Sequence, residues 1–159
     1  MREISIEAST MDLETGNEIS GVETRTMMRE GGEVYWNAND VLGVFTSKGE
    51  LKDFKTDNGG KVTRFTGLND VEDEFYLFYP YNEKATVDEN GIISTFLSAT
   101  QYPEPGSFYN GGSLSVSKNK EGQTAVFHQV CSYFRMSISE DYAGEITGLI
   151  FEGNDGESL

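Results

Sequence analysis

Apolar and polar residues alternate at the start of the chain, where Ile4, Ile6 and Ala8 are interleaved with Glu3, Ser5 and Glu7. A period of two places successive side chains on opposite faces, so this stretch predicts a strand with one face buried. Further strand-like runs are Val34 to Trp36, Val41 to Thr46, Lys52 to Thr56, Val62 to Thr66, Phe75 to Tyr81, Ile92 to Phe96, Leu114 to Ser117, Ala125 to Ser139 and Ile146 to Phe151. They are rich in the β-branched and aromatic residues that suit a pleated surface. No stretch carries a helical repeat. Between the runs stand Asn58-Gly59-Gly60, Asn90-Gly91, Asn110-Gly111-Gly112 and Glu121-Gly122. Gly and Asn accept positive φ at low steric cost, so these predict hairpins and tight connections.

The longest run puts Val126, His128, Val130, Phe134, Met136 and Ile138 on one mainly apolar face, interrupted by Ser132, with Gln129, Arg135 and Ser137 opposite. That parity predicts His128 as a hydrogen-bonded core histidine and Cys131 as a small buried hydrophobe. Phe75 to Tyr81 is apolar on both faces and predicts a central strand. In Leu97 to Gly112, Tyr102-Pro103-Glu104-Pro105-Gly106 disfavours helix and central strand alike, which predicts a surface connection. Many short strands with no covering helix leave a sandwich or a closed barrel, and the expectation is an all-β sandwich.

The 159 residues suffice for one core, assigned to 1–152, while 153–159, Gly-Asn-Asp-Gly-Glu-Ser-Leu, reads as a linker or tail leading toward another domain. Hydrophobic content is 36%, yet 12% aromatic residues mark a folded domain with a polar skin. Net charge is -15, which opposes binding to nucleic acid and to anionic membranes. No run approaches the roughly 18 apolar residues of a membrane helix, so direct insertion by this chain is not expected.

Candidate chemistry is sparse. The single His and single Cys, His128 and Cys131, are three apart and so face opposite ways on a regular strand, which argues against a nucleophile and base pair. Acidic clusters at Asp70-Val71-Glu72-Asp73-Glu74 and Asp88-Glu89-Asn90 match no calcium-loop spacing and read as solvated turns. Gly59-Gly60 and Gly111-Gly112 precede strands, not helix N-termini, so no phosphate loop is expected. Trp36, Tyr79, Tyr81, Tyr102, Phe108 and Tyr109 have the ring chemistry of a sugar-stacking platform, weighed against burial in the core. No catalytic, metal-binding or cofactor-binding residues are assigned.

Several segments in order carry a resemblance: Thr24-Arg25-Thr26; Trp36 with Asn39-Asp40-Val41-Leu42-Gly43-Val44-Phe45; Phe75-Tyr76-Leu77-Phe78-Tyr79-Pro80-Tyr81; Ala99-Thr100-Gln101 with Ser107-Phe108; and Val126 to Met136 around His128. Together they are similar to the N-terminal half of the fimbrillin-like family of Bacteroidales surface proteins, the type V pilins and their adhesin or anchor relatives. The resemblance implies a transthyretin-like Greek-key β-sandwich, exported as a lipoprotein to the cell surface, outer membrane or fimbrium. The 159 residues depart from the family pattern in that neither its lipobox cysteine nor its second domain is read within them. Trp36, Asp40, Gly43, Tyr79, Pro80, Tyr81, Gln101 and His128 are then architectural: Trp36 plugs the core, Asp40 bonds turn amides and Gly43 permits close backbone approach.

The function implied is non-enzymatic, that of a pilus subunit or pilus-associated adhesin. Its partners are other pilus or surface subunits joined by strand exchange, and host or bacterial surface glycans or proteins. In that family an Arg-specific protease removes the first strand, which places candidate processing sites at Arg25 and Arg29. The alternative is a carbohydrate-binding sandwich of a secreted glycan-utilisation system.

Overall fold

The computed structural model describes residues 2–10, 25–28, 34–69, 74–102, 107–109, 111–132, 137–142 and 144–145. Among them the only regular elements are strands: β1 (Arg2–Thr10), β2 (Arg25–Met28), β3 (Val34–Trp36), β4 (Val41–Phe45), β5 (Leu51–Lys55), β6 (Val62–Asn69), β7 (Phe75–Tyr79), β8 (Thr86–Val87), β9 (Ile93–Ser94), β10 (Ser115–Asn119) and β11 (Ala125–Gln129). The fold is all-β. The expected strand over Ile146 to Phe151 and the tail at 153–159 lie outside the described residues.

Strands hydrogen-bond in the closed order β1-β11-β10-β7-β4-β5-β6, while β2-β3 and β8-β9 form two separate pairs. A ring of purely antiparallel neighbours needs an even number of strands, so seven demand a parallel contact. It falls between β1 and β11, with Ala8 opposite Ala125 and Thr10 opposite Phe127. The longest ladder joins β1 to β6, from Arg2 opposite Asn69 to Ser9 opposite Val62. The thinnest seam is β5 to β6, where only Lys55 and Thr66 stand in register. Strands β4, β5 and β6 follow one another antiparallel, and β7 returns to lie beside β4.

Alternation along these strands sorts the side chains. Ile4, Ile6 and Ala8 of β1 meet Leu42, Val44, Phe54, Phe65, Leu77 and Phe127 in the interior. The inward positions of β10 are Ser115, Ser117 and Asn119, buried opposite Tyr79, Leu77 and Phe75 of β7. Small residues on one strand thus make room for large ones on its neighbour, as a narrow barrel requires. Burying apolar surface at roughly 25 cal/mol per Å² makes this interior the main source of stability.

The outer face carries a second cluster. Phe45, Phe78 and Ala85 are buried there, with Leu51, Tyr76, Val87, Ile93 and Val116 packed around them. The β8–β9 hairpin forms its cover through Val87 and Ile93. Its turn is Asp88-Glu89-Asn90-Gly91, in which Gly91 N donates to Asp88 O at 3.0 Å and Gly91 takes φ 79°. The Asp88 carboxylate accepts from Asn90 N at 2.9 Å and Ile92 N at 2.8 Å.

Several expectations need correction. The inward face of β11 is Ala125, Phe127 and half-buried Gln129, whereas Val126 is half-buried and His128 and Val130 are exposed. Parallel pairing with β1 sets this parity, and it lets Phe127 reach Trp36, which outweighs burying His128. Ile92 to Phe96 contracts to the two residues of β9. Strands β2 and β8 were not expected from the pattern, because neither is long enough to alternate. The run from Phe75 ends at Tyr79, since Pro80 has no amide to donate to a ladder; the Tyr79–Pro80 peptide is cis.

Candidate functional site: the Trp36 cluster and the β1 slot

Strand β3 crosses the end of the ring where β1 finishes and β6 begins. Thr10 Oγ1 donates to Val34 O at 2.7 Å, and Trp36 N and O both bond Gly60 across a short bridge at 3.0 and 3.2 Å. These bonds aim the Trp36 side chain down the barrel. Its ring meets Phe65, Tyr79 and Phe127 edge-on, with centroids 5.2, 5.2 and 5.0 Å away. Perpendicular packing sets ring edges against ring faces, the arrangement their quadrupoles favour. Trp36 Nε1 is buried and has no hydrogen-bond partner among the described residues.

Beside this cluster sits Asp40. Its Oδ2 accepts from Asn37 N at 2.6 Å, and Tyr79 OH donates to Oδ1 at 3.0 Å. The turn is closed by Asn39, with φ 70°, whose N donates to Thr56 O at 2.8 Å. Asn tolerates this left-handed conformation better than most residues. Asp40 therefore ties the β3–β4 turn to the end of β7, and its carboxylate is used as a structural acceptor. Gly43 lies under the Phe78 ring, and a Cβ there would collide with that ring. The close approach expected at Gly43 is thus made by a side chain.

The remaining sequence candidates do not converge. Tyr81 is partly exposed, and its N donates to Val41 O at 3.0 Å. Gln101 is exposed and its Nε2 reaches Ser98 O at 3.4 Å. His128 faces solvent opposite Val116 on the outer face, and Cys131 is half-buried beyond the end of β11. The two share no site. The aromatic platform also dissolves, because Trp36, Tyr79 and Phe108 are buried while Tyr81 and Tyr102 are exposed. Among the described residues no group of three His, Cys, Asp or Glu could hold a metal ion.

Strand β1 closes the ring between β6 and β11. It is held on one side by β6 through eight register positions and on the other by β11 through three. Its side chains Ile4, Ile6, Ala8 and Thr10 fill inward positions of the ring, so without β1 a slot would open between β6 and β11. The main chain of Arg25 is paired with Trp36 in the β2–β3 sheet, and Arg29 lies outside the described residues. The place of β1 between β6 and β11 was not legible from periodicity, because both pairings are non-local. No family model, curated protein or solved structure matches the chain.

Proposed function

We propose that this chain is a non-enzymatic structural or adhesive domain of a surface protein, a fimbrillin-like pilus subunit or pilus-associated adhesin. The observation that carries the reading is the slot held by β1. A strand that completes a ring between β6 and β11 can be replaced by a strand of another subunit, which gains the same main-chain bonds and side-chain positions. Two further features support it. The spatial order β7-β4-β5-β6 is that of a Greek key, a fourth strand returning beside the first of three. The thin β5–β6 seam, with one register pair, is a place where the ring could flatten toward the two layers that the resemblance implies.

The exported, lipid-anchored location of such proteins belongs to the same proposal. Its test is limited digestion of the folded chain with an Arg-specific protease, followed by size analysis. Release of residues 1–25 with formation of higher oligomers supports strand exchange. A resistant chain, or a cut chain that keeps β1 bound and never grows, refutes exchange at this slot.

A further inference from the structure

We propose that the open side of β9 is a self-pairing edge, at which two copies of this chain join antiparallel about a two-fold axis through Ser94. The β8–β9 sheet has two strands, so one side of β9 has no strand neighbour among the described residues. In the hairpin, Thr86 faces Ser94 and Val87 faces Ile93, and Asp88 N donates to Ile92 O at 3.0 Å. Bonded and non-bonded pairs alternate along an antiparallel ladder. The main-chain groups of Ser94 therefore point to β8, while those of Ile93 and Thr95 point to the open side. Side chains alternate as well: Ile93 and Thr95 are half-buried, and Ile92 and Phe96 stand 62% and 67% exposed. Natural edge strands usually carry charge or proline at such positions.

Charge selects the occupant. The chain carries -15 overall, yet the twelve residues from Gly91 to Tyr102 include no charged side chain. Depletion of charge together with exposed aromatic residues marks the core of protein interfaces. A strongly charged partner strand would find no counter-charge along this stretch, whereas the stretch itself is an uncharged match. Antiparallel pairing about Ser94 sets Ile92 against Phe96 of the second copy, and Phe96 against its Ile92, both favourable cross-strand pairs. It also brings Ile93 opposite Thr95 of the second copy, with their main-chain groups facing. Asp88 and Glu89 lie in the turn before β9, so neither enters the paired stretch. The contact closes after two copies. It uses a different edge from the β1 slot and does not depend on strand exchange.

The test is sedimentation velocity of the uncut chain over a concentration series. The expected result is a monomer–dimer equilibrium that Phe96→Glu abolishes without changing the thermal melt, because that side chain is exposed. Register is read independently in a Cys131→Ser background treated with oxidised glutathione. Ser94→Cys should form a disulfide-linked dimer, since a non-bonded pair on the axis has Cα atoms about 4.5 Å apart, within disulfide reach. Glu89→Cys, far from its counterpart in this register, should not. A monomer at every concentration overturns the proposal and leaves the strip to a partner of other sequence. A dimer that survives Phe96→Glu, or equal cross-linking of both cysteines, overturns it too.

Discussion

Inside the ring, Trp36 packs perpendicular to three other aromatic rings, whereas outside it Phe45 and Phe78 lie nearly parallel, 5.5 Å apart at 21°. The interior is enclosed by seven strands whose pairing is the fold itself. The outer cluster is enclosed by a hairpin of two-residue strands held mainly by Val87, Ile93 and one turn. Both bury phenylalanines completely, but their covers differ in what must break before water enters. Opening the interior requires separating ring strands, while exposing the outer cluster requires only lifting β8–β9. Local opening of that kind costs less than global unfolding where few apolar contacts hold a segment.

The largest effect is expected from Trp36→Ala, which empties the centre of the aromatic group and should lower stability by about 3–5 kcal/mol. Chemical denaturation should show this as one cooperative transition, because the loss falls on strands shared by the whole ring. Separate loss of the outer hairpin in this variant would show that the two regions are less coupled than their shared strands imply.

A smaller and more local effect is expected from Gly43→Ala. The new methyl meets the Phe78 ring, which is itself fully buried and must shift toward the hairpin. Overpacking of this kind costs about 1–3 kcal/mol. Hydrogen exchange should report faster exchange in β8–β9, with the β1–β6 ladder still protected. Uniform loss of protection would contradict the distinction between the covers.

The smallest effect concerns Asp88. Its carboxyl is held below the ordinary value of 3.8, chiefly by the Ile92 amide and further by Asn90 and Gly91. A lowered folded-state pKa favours the folded turn above the unfolded value, and this contribution disappears as pH falls through the lowered one. The Ile92 amide resonance should move with a midpoint below pH 3.8, and Asp88→Asn should remove that movement. Movement at neutral pH would place another titrating group at the turn.

How much of this was legible follows from the strands themselves. In β1, Ile4 and Ile6 alternate with Glu3, Ser5 and Glu7, so only one face can be buried and the sequence is unambiguous. In β11, Ala125 and Phe127 compete with Val126 and Val130, so both parities are apolar. The choice is made by β1 and Trp36, residues about 90 to 120 positions away, which no local pattern contains. Trp36 as a core plug and Asp40 as a turn acceptor were readable from residue chemistry. The Asp40 bond to Tyr79 was not, because it spans 39 positions. The outer cluster was half legible: Phe75 to Tyr79 is apolar on both faces, but nothing local names β8–β9 as its cover.

The parallel contact between β1 and β11 also sets the order of events as the chain forms. Ala8 and Ala125 are 117 residues apart, so the ring closes only after nearly all of it has emerged. At roughly 5–20 residues per second, about 6–23 s separate the appearance of the two strands during synthesis. Once β6 has followed, it can hold β1 for the rest of that interval, leaving the far edge of β1 uncovered. Closure must then await the last ring strand, and contacts of such long sequence separation make folding slow. A chaperone that shields this edge during emergence should raise the yield of folded chain more than one acting after release.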